Sequence, residues 1–270
     1  MTKYTSGYHT VRHLASHGAQ VYCTWELALC NAEHRRYSRS NHFISPPTSN
    51  LTFDHLSLSS VAAAAKSFAS SESHLHGLIT NAGILATPFA LTFDALFQTN
   101  YLAHWAPYTS PPPHPPLDRV RTKPGDVRIA NISATAHSIG TSPGGIDFED
   151  INQLKGTSFS RYSQSKLANL LHAKTLHFLY GPDSPSTIAG NGEIRSAAVL
   201  LRMRGKILDA DEGSYTQLYV TASRDLGREM SGRYFDNWKE KMPSKQAMDQ
   251  GLGGKFKWTE EKMIFGVWIS

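Results

Sequence analysis

Two short apolar runs that end in asparagine-containing turns constrain the fold of this chain more than any other feature. One ends at Asn81-Ala82-Gly83, and the other ends at Asn131-Ile132-Ser133. A short apolar run with turn residues behind it is typical of a strand buried within a sheet. The sequence therefore predicts buried strands within residues 76–83 and 127–133. The small residues after the first strand would let the backbone approach a ligand, although an ordinary strand-to-loop turn is the alternative.

A tyrosine and a lysine four positions apart, Tyr162 and Lys166, lie in a stretch that we predict to be helical to about residue 178. Side chains at this spacing share one face of a helix. A nearby ammonium favours the phenolate and lowers the pKa of a phenol from its usual value of about 10, which makes the phenol a usable acid or base at neutral pH. The spacing predicts that Tyr162 exchanges a proton and that Lys166 tunes it. A chance pair on an exposed helix is the alternative.

With these three signals in this order, the chain resembles the short-chain dehydrogenase/reductase family, in the retinol-dehydrogenase-like branch that is abundant in fungi. The resemblance implies one α/β domain over residues 1–270, a doubly wound and mostly parallel sheet of Rossmann type with the strand order 3-2-1-4-5-6. It implies an oxidoreductase that transfers a hydride between NADP or NAD and the carbonyl or alcohol of a small lipophilic metabolite, as in secondary metabolism.

The resemblance also assigns roles to individual residues. Tyr162 would exchange the proton, and Lys166 would lower its pKa and hold the nicotinamide ribose. Asn100 would position a water in a proton relay. Asn81 and Asp54 would line the cofactor site.

The nucleotide-binding half leaves alternatives open. Asp54 matches the family's acidic residue beside the adenine, but it could equally cap the helix-forming run at residues 57–70. Glu26 follows the second predicted strand, where a carboxylate would repel the 2′-phosphate of NADP. The choice between NAD and NADP therefore stays open.

Further elements follow the family pattern less completely. Gly18 is the predicted end of the first helix, and residues 211–220 are predicted to form a later helix. The loop at residues 184–193, which should shape the pocket, is reduced or replaced relative to the family, so the identity of the substrate stays open. The remaining predicted strands are at residues 19–24, 51–54, 196–201 and 231–235, with a closing helix from residue 251.

The first strand and the Gly-rich turn of the family are largely missing. Residues 5–19 resemble the phosphate-binding turn and first helix, but Gly7 is the one glycine left where the fingerprint needs several. Residues 1–6 are too few for the strand and loop that should precede it. The family's Pro-Gly after the sixth strand is replaced by residues 202–205. We therefore expect a degenerate or truncated family member that binds its nucleotide weakly.

The catalytic group is also incomplete. Ala134 occupies the position of the family's substrate-binding serine, and losing one donor to a developing oxyanion typically costs about 100- to 1000-fold in rate. Ser133 or Ser138 could take its place after a local shift of the chain.

A proline-rich interruption at residues 107–116 breaks the helix that should follow Asn100. Interior prolines cost about 3 kcal/mol each in a helix, so an extended polyproline segment is expected. It offers two Pro-x-x-Pro motifs to an SH3- or WW-type partner. A local frameshift or mispredicted splice is the account that we favour.

Composition excludes other classes. The net charge of +5 is spread along the chain without aromatic clustering, so no nucleic-acid surface is expected. No apolar run is long enough to span a membrane, and two cysteines suit a reducing compartment, so we expect a cytoplasmic protein. His9, His13 and His17 share a helix face, but without a nearby carboxylate we expect a solvated face and no metal.

The sequence leaves the activity open. If the chain is active, its partner is a small-molecule substrate, and the resemblance implies a homodimer. The alternatives are a catalytically impaired pseudoenzyme or truncated product, and a non-redox isomerase or cyclase on the same fold.

Overall fold

The computed structural model describes residues 6–23, 48–51, 53–55, 57–73, 75–83, 128–180, 186–191 and 209–257. Its helices are α1 Ser6–Ser16, α2 Leu58–Ser71, α3 Ser158–Tyr180 and α4 Glu212–Ala222, and residues 250–257 form α5. Its strands are β1 Val21–Cys23, β2 Thr48–Asn50, β3 Gly77–Thr80, β4 Arg128–Ser133, β5 Ser186–Asn191, β6 Tyr234–Asp236 and β7 Lys239–Lys241. These elements confirm the α/β class.

A five-stranded sheet in the order β3-β4-β5-β6-β7 organises the fold. Its first four strands are parallel, and β7 pairs antiparallel with β6. The Ser133 hydroxyl donates to the Lys166 carbonyl of α3 at 2.8 Å, whereas Ala130 packs with Val220 of α4. Because odd and even positions of a strand point to opposite faces, α3 and α4 cover opposite faces of the sheet. This is the doubly wound arrangement that the sequence predicted.

The sheet is interrupted where the first strand of the expected order would lie. β1 and β2 form a separate parallel pair, which corresponds to strands 2 and 3 of that order, and β3 corresponds to strand 4. Within the described ranges no strand joins β1 to β3. Helix α1 lies in their vicinity: it packs against β1, and its Ser6 hydroxyl donates to Asn81 Oδ1 beyond β3 at 3.4 Å.

Local chemistry explains where the helices begin and end. Gly18 has a φ of +85°, the left-handed conformation that ends a helix at least cost in a glycine, and the Ala19 amide bonds back to the Leu14 carbonyl at 3.1 Å. The predicted stop at Gly18 is therefore confirmed. Helix α2 is capped by Ser57, whose side chain accepts from the Ser60 amide. Before α3, the Thr157 hydroxyl accepts from the Ser160 amide at 3.0 Å.

The third strand is displaced from its predicted position. It was expected at residues 51–54, but the strand is β2 at Thr48–Asn50, paired residue for residue with β1. The Leu51 amide still donates to the Cys23 carbonyl at 3.0 Å. Pairing with β1 therefore ends at Leu51, the residue at which the strand was predicted to begin.

The prediction of a pocket-shaping loop at residues 184–193 is wrong for Ser186–Asn191, which form β5. All six of these residues pair in parallel with β4. The β-branched Thr187 and Ile188 favour a strand, but the deciding interaction is the long-range pairing, which local sequence does not show. The predicted strand at residues 196–201 lies outside the described residues.

Some of the remaining predictions concern described residues, and others lie outside them. The helix at residues 211–220 is confirmed as α4, and the last strand starts later than expected, at Tyr234. The proline-rich segment at residues 107–116 is outside the described ranges, and the single-domain assignment of residues 1–270 stays a prediction. No described helix has the length and apolar character needed to cross a membrane.

Candidate active site

Helix α3 carries the Tyr162-x-x-x-Lys166 pair through the middle of the protein. Residues 161–173 of this helix are all buried. A helix that is buried on every side must have packed elements all around it. The neighbours of α3 are β4, β5, the short 3-10 helix Thr135–Ser138 and the segment that contains Ala247 and Phe256.

Lys166 ties α3 to the carboxyl end of β4. Its Nζ donates to the Ile132 carbonyl at 3.0 Å, and the Asn169 amide donates to the same carbonyl at 2.8 Å. The ammonium lies 5.5 Å from the centre of the Tyr162 ring. The structure therefore brings Tyr162 and Lys166 together on one face of the helix, as the spacing predicted.

The pKa of Tyr162 is shifted in the direction opposite to the one that the spacing predicted, and the cause is burial. Burial raises the pKa of the Tyr162 phenol above its usual value. Burial also lowers the pKa of Lys166 to about 7. A lysine that is close to half protonated at neutral pH stabilises a phenolate weakly, so desolvation outweighs the attraction that the sequence predicted. In this state Tyr162 keeps its proton at neutral pH.

Ala134 lies at the position where a second hydrogen-bond donor is expected. It precedes the 3-10 helix in an extended conformation and is fully buried. Together with Ala136 and Phe159 it packs on the Tyr162 ring. At position 134 the site thus places a methyl group, in place of the expected hydroxyl, against the Tyr162 side chain.

Neither candidate replacement serine is free for this role. The Ser133 hydroxyl faces α3 and donates to the Lys166 carbonyl. The Ser138 hydroxyl donates to the Thr135 carbonyl at 2.8 Å and is exposed. The prediction that Ser133 or Ser138 could supply the missing hydroxyl after a local shift is therefore not confirmed: both hydroxyls bond to backbone carbonyls instead.

Asn81 follows β3 at the same sheet edge, because the carboxyl ends of parallel strands lie together. Its Oδ1 accepts from the Ser6 hydroxyl in the first turn of α1. The Gln217 side chain of α4 donates to the Ser6 carbonyl at 3.2 Å and to the Thr10 hydroxyl. The start of α1 is thus fixed beside Asn81.

Asp54 and Asn100 are the other two residues predicted for the site. Asp54 is exposed between β2 and α2, and its amide donates to the Ser60 hydroxyl at 2.9 Å. Because Ser57 caps α2, the alternative role of Asp54 as that cap is wrong. Asn100 lies outside the described residues.

The histidine face of α1 differs from its prediction. His9 Nδ1 and His13 Nε2 both contact Asp211 Oδ1, at 2.7 and 2.8 Å, just before α4. Hydrogen bonding to His13 is the main reason that the pKa of Asp211 is lowered. The expected solvated face holds only for His17, because the sequence could not show that α4 brings a carboxylate to α1. Across the described ranges no set of side chains is arranged to hold a metal ion.

Sequence reasoning missed His137, which is 3% exposed three residues after Ala134. Its Nδ1 is 2.7 Å from the Ala134 carbonyl, and its Nε2 accepts from the Ser244 amide at 3.1 Å. In the sequence, the residues around His137 were used only to align Ala134 with the position of the family's serine. The partner amide is distant in sequence, so no local signal could have revealed the contact.

Comparison with curated proteins gives close relatives over nearly the whole chain. The short-chain dehydrogenase/reductase drtF of Aspergillus calidoustus is 38% identical over 95% of this chain and 90% of its own length. Human retinol dehydrogenase 12 is 31% identical over 97% of this chain and 83% of its own length. No protein-family model matches the sequence.

The fold is also similar to solved structures. An NADPH-bound carbonyl reductase from chicken fatty liver aligns with a TM-score of 0.62 over 89% of this chain and 95% of that chain, at 20% identity. At this identity the likeness shows the fold alone.

Proposed function

The chain belongs to the short-chain dehydrogenase/reductase family, and we propose from this premise that it transfers a hydride between a nicotinamide nucleotide and the carbonyl or alcohol of a small lipophilic metabolite. The observation that carries the proposal is the buried pair of Tyr162 and Lys166 beside the carboxyl end of β4. A protonated phenol that contacts a lysine at the carboxyl edge of a parallel sheet suits proton donation to a substrate carbonyl.

The donors at this edge fit a nicotinamide nucleotide. The Lys166 ammonium would hold the ribose, and Asn81 would line the cofactor cleft beside the start of α1. Asp54 is exposed and would face the adenine. When bound, the nucleotide supplies or accepts the hydride. That the chicken carbonyl reductase binds NADPH supports this class of cofactor, with the choice between NADP and NAD left to measurement.

The protein's own contribution is the proton. Tyr162 keeps its proton at neutral pH because burial raises its pKa. It can therefore give that proton to a carbonyl oxygen as negative charge develops there. The surrounding methyl groups of Ala134 and Ala136 exclude water from the phenol. Asn100 remains the proposed holder of a relay water.

The substrate class rests on the relatives. Human retinol dehydrogenase 12 is named for a lipophilic alcohol, and the drtF protein is fungal. A lipophilic metabolite, as in fungal secondary metabolism, is the substrate that we propose. We further propose a cytoplasmic homodimer without a nucleic-acid partner, which fractionation and the sedimentation coefficient of the purified chain would test.

Nucleotide binding is expected to be weak. The sheet is interrupted between β1 and β3 in the described residues, and this is where a dinucleotide lies in the fold. We expect a dissociation constant above about 100 µM for both NADH and NADPH, or roughly 5 kcal/mol of binding. Titration calorimetry measures it, and low-micromolar affinity for either nucleotide would contradict the expectation.

Restoring the missing hydroxyl is expected to raise the rate. Ala134→Ser places a donor beside Tyr162, where one oxyanion donor is worth about 100- to 1000-fold in other enzymes. Because weak nucleotide binding also limits turnover, we expect a gain of about tenfold in kcat. Steady-state kinetics with saturating substrate measure this gain.

Ala136→Ser is the matched control for this change. Ala136 is also fully buried and also packs near Tyr162. Ala136→Ser therefore adds the same oxygen atom at a comparably buried position and should affect stability in a similar way. It should give no gain. Equal gains in the two variants would show that the position of the hydroxyl is irrelevant.

The proposed function is tested by incubating the purified protein with a panel of lipophilic ketones, aldehydes and alcohols. Nucleotide absorbance and product are followed together, with and without each nucleotide. Nucleotide-dependent product supports the proposal. Product that forms without nucleotide would identify an isomerase or cyclase instead, an alternative favoured by the missing serine. No product with wild type or with Ala134→Ser would identify a pseudoenzyme.

A further inference from the structure

His137 connects two parts of the chain that meet beside Tyr162. It lies in the 3-10 helix Thr135–Ser138, and its ring packs edge-on against Tyr234 of β6, with ring centres 5.3 Å apart. One ring nitrogen contacts the Ala134 carbonyl and the other contacts the Ser244 amide. Both ring nitrogens thus contact backbone groups, one three residues away in the sequence and the other far along the chain.

These two bonds require one particular neutral form of the ring. The Ser244 amide can only donate, so Nε2 must accept, and Nδ1 must carry the proton that it gives to Ala134. Burial favours this neutral form by lowering the pKa of His137, against smaller opposing effects of the Ala134 carbonyl and of Asp236. Asp236 is itself paired with Lys241 at 2.7 Å.

The Ser244 segment, residues 242–248, packs along the catalytic helix. The Ser244 side chain accepts from the Ala247 amide at 3.3 Å, and Ala247 is buried with Leu167 and Leu170 of α3. Leu167 follows Lys166 directly, and Leu170 lies one turn further along the helix.

The same segment follows the antiparallel strand at the end of the sheet. β6 ends at the same edge as β4, and β7 turns back from that edge, so Lys241 lies opposite Tyr234. The chain then passes Met242, which is 78% exposed, before the Ser244 amide donates to His137. The contact with His137 therefore brings this segment next to the Ala134 loop.

We propose that His137 is a positioning residue with two separable tasks. Through Nδ1 it holds the Ala134 loop against Tyr162, and through Nε2 it holds the Ser244 segment as a wall of the substrate pocket. The substrate part of this inference rests on the proposed function. The contacts themselves do not depend on it.

Two conservative substitutions separate the tasks. The amide nitrogen of Asn occupies the place of Nδ1, so His137→Asn keeps the bond to Ala134 and loses the bond to Ser244. The longer Gln places its oxygen near Nε2, so His137→Gln keeps the Ser244 bond and loses the Ala134 bond. His17→Gln changes an exposed histidine of α1 and serves as the control.

We expect the two variants to divide KM from kcat. His137→Asn should raise KM for the carbonyl substrate about fivefold with kcat within about twofold, because the pocket wall loosens. His137→Gln should lower kcat about fivefold with KM within about twofold. His17→Gln should match wild type. A merely structural histidine would lower the melting temperature in both variants without this division, and that result would overturn the proposal.

Hydrogen exchange decides the matter even without turnover. If wild type reduces no substrate, the proposed function fails, but the two contacts can still be read from peptides covering residues 132–142 and 242–249. His137→Asn should speed exchange in the second peptide only, and His137→Gln in the first only. Should one variant fail to fold, the other alone remains decisive. Unchanged exchange in both peptides of a folded variant would contradict the assigned bonds.

Discussion

Tyr162→Phe is expected to lower kcat by about 100- to 10,000-fold with little change in nucleotide affinity. The substitution removes the phenolic proton and keeps the ring that packs on Ala134, Ala136 and Phe159. General acid catalysis by a positioned group contributes about this factor. The measurement is single-turnover reduction of the best carbonyl substrate, with nucleotide binding measured separately.

Tyr219→Phe provides the control for this loss. Tyr219 belongs to α4 on the opposite face of the sheet, and its ring lies 5.9 Å from that of Phe235. It undergoes the same chemical change away from the site and should retain turnover. Unchanged turnover in Tyr162→Phe would refute a reductase mechanism through this residue.

Lys166→Met is expected to abolish turnover while making the fold more stable. The pKa of Lys166 falls from 10.5 to about 7 through burial, which corresponds to roughly 5 kcal/mol of destabilisation when the lysine is charged in the unfolded chain. Methionine has a similar length and no charge to bury. The Ile132 carbonyl keeps its bond from Asn169. We therefore expect a gain of about 3 kcal/mol in the free energy of unfolding at pH 6.

The stability difference between wild type and Lys166→Met should depend on pH. Below pH 7 the lysine is protonated in both states, so its burial cost is fully present in wild type. Between about pH 7 and 10.5 the folded chain holds fewer protons than the unfolded chain, so wild-type stability rises with pH and the advantage of the Lys166→Met variant disappears. Urea unfolding at pH 6, 7.5 and 9 measures this. Lys239→Met, at an exposed lysine of β7, should show no such trend. A destabilised Lys166→Met at pH 6 would contradict the argument.

Local patterns were sufficient where a feature depends on a few neighbouring residues. The strands within residues 76–83 and 127–133, the helix end at Gly18, and the shared face of Tyr162 and Lys166 follow from spacing and residue type. Each was recovered in the structure because the relevant interaction lies within one element or one turn.

Features set by distant contacts were not predictable in the same way. β5 is a strand because it pairs with β4, and nothing within residues 184–193 specifies that partner. The pKa directions of Tyr162 and Lys166 depend on how deeply α3 is enclosed, which spacing does not reveal. His137 gains its role from Ser244, which lies far along the chain.

The burial of α3 has a consequence for how this protein can change over evolutionary time. A helix with solvent on one side can accept substitutions there at small cost. Residues 161–173 have no such side, so every substitution in this stretch alters packing as well as chemistry. Pulling the helix away from its place would require separating it from β4, β5 and the segment that contains Ala247 and Phe256 together, which approaches unfolding of the protein's core. New activities in this lineage should therefore arise from the surrounding loops, while drift within the helix is constrained by folding even in a member that has lost catalysis.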